Sequence, residues 1–173
     1  MVGGGGAATD PAFSRDLLLD GARRFDLRTT VAWVDGVGLS AWAYYGDEEM
    51  EVPKRIYARM LRANYEYPFV KFALTDDDRP MLMTELPPDG VDRDAVARTL
   101  VRLTVVADRL LDETAAAVAD GGGLPDWSSR TPRNQALLNA HRDEVEATMP
   151  AWEPAPIRPR RRGLLERLLG SRR

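Results

Sequence analysis

The side chains that most often perform chemistry in proteins are sparse in this chain of 173 residues. Cysteine is absent, which removes disulfides, thiolate nucleophiles and cysteine-based zinc sites. The single histidine, His141, cannot build a multi-histidine metal site. A general base needs an acid or a nucleophile held within reach. Because His141 is followed by Arg142, Asp143 and Glu144 on a polar stretch, we interpret it as a surface residue.

The carboxylates also lack a catalytic or metal-binding pattern. A calcium loop needs oxygens at spaced positions, a distant bidentate acid and a glycine bend. Asp76–Asp78 are adjacent and lie between two predicted strands, so they indicate a solvated turn. Glu85 has no second carboxylate at an acid–base spacing, and we interpret it as a cross-strand partner of Arg28 or Lys71. The two glycine runs lack the lysine and hydroxyl of a phosphate-binding loop. The sequence therefore predicts no catalytic residue, no metal site and no cofactor, in a protein that is not an enzyme.

Aromatic residues carry more information than the charged ones. Trp42 and Tyr44 alternate with small, core-facing residues in a predicted strand. A sheet covered by helices on one side should have a polar second face, so exposed aromatic residues there favour protein binding or dimerisation. An additional covering helix is the alternative explanation. With Tyr57, Arg59 and Arg62 of the next helix, these residues form the predicted partner-binding set.

Periodicity and turn residues predict the elements that position this set. Alternation predicts two strands, 27–33 and 39–45, around an Asp35-Gly36 turn with two positive φ angles. The other predicted elements are a helix from Asp10-Pro11 to Gly21 built on Phe13, Leu17, Leu18 and Leu19, a helix over 53–64 with Ile56, Tyr57, Met60 and Leu61 as its apolar stripe, strands 69–74 and 81–86, and a helix from its cap Asp92 to about Ala119. The order α-β-β-α-β-β-α predicts an α+β fold, with an antiparallel sheet, flanking helices and a C-terminal helical or disordered tail.

Composition divides the chain into four segments. Residues 1–9 are glycine-rich and predicted to be disordered. Residues 10–120 form the α+β domain, and 121–159 form a linker with one polar helix over 132–147. Residues 160–173 form a basic amphipathic tail. Without a signal peptide, a long apolar run or cysteine, the expected location is the cytoplasm.

The tail differs in charge from the rest of the chain. Seven arginines and one glutamate give residues 158–173 a net charge of +6, so the remaining residues carry −9 of the total of −3. The residues that define its basic and leucine faces are Arg160, Arg161, Arg162, Leu164, Leu165, Leu168 and Leu169. Such a segment can fold on an anionic membrane surface, dock in a partner's groove, or remain disordered or bound to its own acidic body. The acidic body makes nucleic acid an unlikely partner.

Part of the sequence resembles a known family. Leu61-Arg62-Ala63-Asn64 ends a helix, Val70–Leu74 and Met81–Leu86 flank an acidic turn, Glu85-Leu86-Pro87 follows, and a helix with Val106-Ala107-Asp108 closes the pattern. Over about residues 10–120 this resembles bacterial YbjN-domain proteins and, more widely, type III secretion chaperone-like proteins. The resemblance implies a sandwich of helices and sheet, often dimeric, that holds a partner polypeptide without hydrolysing nucleotide. It also implies three strands in the first part of the sheet, where alternation predicts two.

The predicted function is therefore a non-enzymatic, chaperone-like or regulatory module that holds a partner polypeptide as a homodimer. The alternative is a peripheral membrane adaptor that is anchored by the tail at the inner face of the membrane.

Overall fold

The computed structural model of the protein describes residues 13–46, 51–119 and 123–151. These residues form five β-strands, three α-helices and two single-turn 3₁₀ helices. The elements are β1 (Phe13–Leu19), β2 (Leu27–Val34), β3 (Gly38–Tyr44), α1 (Lys54–Glu66), β4 (Lys71–Leu74), β5 (Pro80–Leu86), a 3₁₀ helix (Pro88–Gly90), α2 (Arg93–Arg109), a second 3₁₀ helix (Ala115–Ala117) and α3 (Gln135–Ala147).

The strands form one antiparallel sheet in the order β1-β2-β3-β5-β4. β1, β2 and β3 pair with their neighbours in the chain, and β4 pairs with β5 in the same way. α1 carries the chain from β3 to β4, so β5 returns beside β3 and leaves β4 at the edge opposite β1. The predicted α+β class, with an antiparallel sheet and flanking helices, is confirmed.

The predicted first helix is wrong, because residues 13–19 form strand β1. This strand pairs with β2 along its whole length, from Phe13 opposite Trp33 to Leu19 opposite Leu27. In so short a run the apolar positions fit both a helical stripe and a strand face, and pairing with β2 favours the strand. The first part of the sheet therefore has three strands, as the family resemblance implied. The predicted start of that helix, residues 10 and 11, lies outside the described residues.

The β2–β3 turn also differs in detail from its prediction. It contains three residues, 35–37, because Val34 lies directly opposite Gly38. Gly36 has a φ of 80°, but Asp35 does not adopt a positive φ. Gly38 allows β3 to begin against the end of β5, since a Cβ there would lie 2.2 Å from the Leu86 carbonyl oxygen.

The hydrophobic core lies between one face of the sheet, the inner face, and the helices. Val31, Ala41 and Thr84 lie opposite one another on three neighbouring strands, and all three are buried. The helical side of the core includes Ile56, Met60 and Ala63 of α1 and Val101, Leu103 and Val105 of α2. Alternate residues along the strands therefore face the helices, as the period of two requires.

The long helix α2 begins as predicted and ends earlier. The Asp92 carboxylate accepts the Ala95 N–H at 2.7 Å, which confirms the predicted N-cap. The helix ends at Arg109, before its predicted end, and the chain turns toward the sheet. There the Thr114 hydroxyl lies 2.7 Å from the buried Tyr45 hydroxyl. The turn thus ties the end of α2 to the residue that follows β3.

Helix α3 lies within the segment that composition assigned to a linker. It begins at Gln135, slightly after the predicted start. Its residues Leu138 and Val145 belong to the same hydrophobic cluster as the sheet. Arg98 of α2 lies 3.6 Å from Glu144 of α3. α3 is therefore packed on the core through α2, in spite of its mostly polar sequence.

A buried carboxylate organises the loop between β1 and β2, residues 20–26. Asp108 of α2 is 2% exposed and accepts the backbone N–H groups of Ala22, Arg23 and Arg24 at 2.6, 3.0 and 2.7 Å. Burial raises the pKa of Asp108, while the three N–H donors act against this by favouring the carboxylate. One residue of α2 thus fixes three successive backbone positions of the loop.

A second buried carboxylate, Asp20, joins this loop to the start of α3. It accepts the backbone N–H of Asp26 at 2.9 Å and that of Arg133 at 3.0 Å. Its own N–H donates to Asn134 Oδ1 at 2.7 Å. The guanidinium of Arg133 lies 3.2 Å from the Asp20 carboxylate and also pairs with Asp26. The end of β1 and the beginning of α3 are therefore held at a fixed distance.

Candidate functional site

The face of the sheet opposite the helices carries two aromatic residues and two methionines. Trp42 lies opposite Met83, and Tyr44 lies opposite Met81, on the adjacent strands β3 and β5. Directly opposed residues share one side of a sheet, so these four side chains are neighbours. We call the surface formed by Trp42, Tyr44, Met81 and Met83 the outer face. All four residues are half-buried.

Polar side chains border the outer face. Thr30 of β2 lies opposite Trp42, and Lys71 of β4 lies opposite Met83. Lys71 and Glu85 are exposed at the margin. An aromatic and methionine centre inside a charged rim is typical of surfaces that bind other proteins. The sequence predicted Trp42 and Tyr44 for this surface. It missed the methionines, because a strand with apolar residues on both faces gives no signal for which face is covered.

The Tyr44 ring is held by a cation. The Arg79 guanidinium lies 4.2 Å from the ring centroid, and Arg79 Nε donates to the Gly46 carbonyl at 3.0 Å. A cation over an aromatic face contributes about 0.5–1 kcal/mol at an exposed position. This contact holds the Tyr44 ring at one end of the outer face.

The predicted residues of α1 are not brought together with Trp42 and Tyr44, because α1 packs against the inner face. Arg59 pairs with Glu66 at 2.9 Å and with Glu113, which links α1 to the turn after α2. This guanidinium is therefore already shared between two carboxylates.

The other two predicted residues of α1 differ in exposure. Tyr57 is half-buried, and its hydroxyl donates to the Asp78 carbonyl at 3.1 Å. Burial raises the pKa of Tyr57, with a smaller contribution from the Asp78 carboxylate. Arg62 is exposed. Of the three, Arg62 is thus the side chain most accessible to a partner.

A second apolar surface follows the exposed side of α1. Leu61 is 68% exposed, Tyr65 94% and Phe69 65%. Phe69 has a φ of 66°, which is unusual for a bulky residue, and its ring lies 4.8 Å from the Arg102 guanidinium. We call Leu61, Tyr65 and Phe69 the α1 ridge. The helical stripe predicted Leu61 to be buried, which is wrong: Ala63 is buried instead, and Leu61 faces outward.

The residues that carried the family resemblance have structural roles. The Asn64 side-chain amide donates to the Phe72 carbonyl at 3.0 Å, and its Oδ1 accepts the Phe72 N–H at 2.6 Å. Asn64 thus fastens the end of α1 to β4 as a neighbouring strand would. Leu86 and Pro87 lie where β5 passes Gly38. These positions shape the sheet and leave the outer face to other residues.

Residues considered for catalysis or metal binding remain apart. Within residues 13–46, 51–119 and 123–151, no three His, Cys, Asp or Glu side chains are grouped to hold a metal ion. Asp76–Asp78 form the β4–β5 turn as predicted, with Asp78 at a φ of 62°. His141 Nδ1 lies 4.0 Å from Oε2 of Glu144, one helical turn along α3.

Several predictions concern the chain ends. The N-terminal segment 1–9 and the tail, including Arg160, Arg161, Arg162, Leu164, Leu165, Leu168 and Leu169, lie outside the described residues. Among the helices of the described segments, none is long and apolar enough to cross a bilayer.

Comparison with known proteins places these surfaces in a family context. A family model named YbjN, described as "Putative bacterial sensory transduction regulator", matches residues 14–115, more than half of the chain. No curated protein matches the chain. A similar solved structure is a chain of the heterodimeric ExoU–SpcU complex from the type III secretion system of Pseudomonas aeruginosa. The two are 24% identical with a TM-score of 0.42, over 61% of this chain and 84% of the other. The family match includes the outer face and the α1 ridge and ends before α3.

Proposed function

The chain belongs to the YbjN family, and from the character of its open sheet surface we propose that it is a non-catalytic module that binds a partner polypeptide. The observation that carries the proposal is the outer face: Trp42, Tyr44, Met81 and Met83 are contiguous, half-buried and bordered by charge. Tryptophan and tyrosine dominate binding energy in protein interfaces. Methionine adapts to partners of different shape.

The sheet itself needs none of these four side chains to close its core. The inner face buries Val31, Ala41 and Leu82 against the helices, so large apolar residues on the outer face are not required for that packing. Partly exposed, contiguous apolar surface of this kind favours a binding role. A polypeptide laid on it would shield both aromatic rings and both methionines at once.

The test is to charge the outer face in the full-length protein with Trp42→Glu and Tyr44→Glu. We expect the variant to retain the wild-type circular dichroism spectrum and to lose the stoichiometric partner captured from native lysate. Binding is then measured with the purified partner by calorimetry. Leu74→Glu, at an exposed position at the end of β4, is the matched control and should bind normally. Unfolding of the double variant, with partner binding intact in separate Trp42→Ala and Met83→Ala variants, would contradict the proposal.

We further propose that the protein is a homodimer joined through the α1 ridge. An isologous interface must be complementary to itself, and this surface contains two aromatic rings next to the exposed cation Arg62. Two α1 helices related by a two-fold axis can place Arg62 of one copy over Tyr65 of the other. Tyr65, at 94% exposed, would then become buried.

Sedimentation velocity over a range of concentrations tests the dimer. Tyr65→Glu should give a monomer with an unchanged spectrum, while Ala136→Glu on the exposed side of α3 should leave the mass unchanged. A wild-type protein that is monomeric at all concentrations would refute the dimer, and a Tyr65→Glu dimer would place the interface elsewhere.

A second candidate function, a peripheral membrane adaptor, is supported only by the sequence of the tail. The spacing of Leu164, Leu165, Leu168 and Leu169 is that of one helical face, and arginines flank them in the sequence. Each basic residue near an anionic surface contributes about 1 kcal/mol. The full chain should therefore sediment with phosphatidylserine vesicles, and a variant ending at residue 157 should not. Equal sedimentation of the two proteins would rule out a tail anchor.

A further inference from the structure

A groove of about 890 Å³ adjoins the outer face on its β1 side. Its floor includes Asp16 and Thr30, which lie opposite each other on β1 and β2. Thr30 is in turn opposite Trp42, and Tyr44 lines the groove directly. A segment bound across the outer face would therefore continue into the groove without leaving the sheet.

Arginine dominates the charge of this groove. Arg28, Arg79 and Arg133 line it, and Asp16 is the one carboxylate among its lining residues. The Asp16 carboxylate accepts the Thr30 hydroxyl at 2.8 Å. The groove is thus cationic on a protein whose net charge is −3, so its charge is opposite to that of the surface as a whole.

The three arginines are not equivalent. Arg133 is bound to Asp20 and Asp26, and Arg79 is held over Tyr44. Arg28 is exposed on β2, and among the described residues no ion pair involves it. Arg28 is therefore the guanidinium most available to an incoming carboxylate, with Arg79 beside the Tyr44 ring adding positive potential.

We propose that this groove binds acidic side chains of the partner polypeptide, so that the partner segment presents aspartate or glutamate beside the apolar residues that cover the outer face. The inference rests on the proposed function and adds the chemistry of the partner. Arginine binds carboxylates through paired N–H donors, and the exposed Leu18, directly opposite Arg28 in the sheet, offers an apolar contact beside the charge. The basic tail of the chain is excluded as the occupant, because its charge has the same sign as the groove.

Two synthetic peptides with alternating residues test the inference: leucine with glutamate, and leucine with glutamine. Fluorescence anisotropy measures the binding of each labelled peptide to the full-length protein. We expect the glutamate peptide to bind at least about tenfold more tightly at low salt, with the difference shrinking as salt screens the charges. Arg28→Glu should abolish the preference, and Arg28→Gln should reduce it. Arg55→Glu, the same charge change at an exposed position of α1, should preserve it.

Three results would overturn the inference: no binding of the glutamate peptide, equal binding of both peptides, or a preference that persists in Arg28→Glu. The Trp42→Glu variant separates this failure from that of the proposed function. Equal binding that is lost in Trp42→Glu would reject the acidic preference and leave the outer face as a polypeptide-binding surface. A glutamate preference that survives Trp42→Glu would support the groove and reject the outer face.

Discussion

The contact between Gly21 and Asp108 gives the sharpest test of how the β1–β2 loop is held. A Cβ added at Gly21 would lie 2.2 Å from Asp108 Oδ1, 2.5 Å from Cγ and 2.6 Å from Oδ2. Gly21 does not require a left-handed backbone, so the nearest obstacle to Gly21→Ala is this carboxyl group. The carboxyl must move, and it then loses its three backbone donors.

The cost of that loss follows from the hydrogen bonds. A bond to a charged group contributes about 1.5–3 kcal/mol, and an unpaired buried donor costs about 1–3 kcal/mol. The N–H of the buried Arg24 cannot be rehydrated, whereas that of the exposed Ala22 can. We therefore expect Asp108→Ala to lower the free energy of unfolding by about 3–5 kcal/mol and Gly21→Ala by about 3 kcal/mol. In the double variant the obstructing carboxyl is gone, so the two losses should overlap by about 2 kcal/mol or more.

Urea unfolding followed by circular dichroism measures this cycle, and equal denaturant slopes for all four proteins are needed to compare the free energies. Asp108→Asn is a milder single variant if Asp108→Ala is too unstable to fold. Additive losses would refute the reasoning, because they would mean that Gly21 and Asp108 do not share one space. A neutral Gly21→Ala would refute it independently.

Two further predictions concern single side chains. Bonds to Arg130 and Arg133 lower the pKa of Asp26 from 3.8 to about 2, so the ionised carboxylate stabilises the fold above pH 3.8 and this contribution is lost as the pH falls toward 2. Asparagine tolerates the local φ of 58°, and we expect Asp26→Asn to lower the free energy of unfolding by under about 1 kcal/mol at pH 6. In this variant the free energy of unfolding should fall less steeply as the pH is lowered from 3.8 toward 2. The same steepness as in the wild type would contradict the prediction. Tyr45→Phe removes a buried hydroxyl that must donate to Thr114 Oγ1, since Thr114 donates to the Leu110 carbonyl. A loss of about 1–2 kcal/mol in urea unfolding is expected, and no loss would show that water replaces the bond.

Local signals were sufficient for most of the fold. The β2–β3 hairpin, α1, β5 and the Asp92 cap were predicted because alternation, helical spacing and capping act between residues close in the chain. Strand β1 was predicted as a helix because leucine favours helices. Only its pairing with β2, which the local sequence does not show, makes this segment a strand. The apolar stripe of α1 was shifted for a related reason. Both Leu61 and Ala63 can extend the stripe formed by Ile56 and Met60, and spacing alone does not say which of the two the core will cover.

The hydrogen bonds of Asp108 and Asp20 and the candidate surfaces depend on contacts between residues that are far apart in the sequence. Asp108 binds a loop 84–86 positions away, and Asp20 binds the start of α3 at a separation of 113 or 114. In the sequence both aspartates look like ordinary exposed polar residues, because their burial arises only when the whole fold is assembled. The outer face was half predicted: strand alternation separated Trp42 from the core, but strand β5 had to be placed beside β3 before Met81 and Met83 joined it.

The groove combines residues from inside and outside the segment that defines the family. Arg28 and Arg79 lie within the matched residues 14–115, whereas Arg133 precedes α3 and lies beyond them. Arg133 is positioned by Asp20, whose buried carboxylate accepts the Arg133 backbone N–H and also pairs with its guanidinium. The outer face therefore lies wholly within the matched residues, whereas the lining of the groove also depends on how α3 is attached. In the function proposed above, the sheet would supply the surface that holds a polypeptide, and the attachment of α3 would help to set which polypeptide is held.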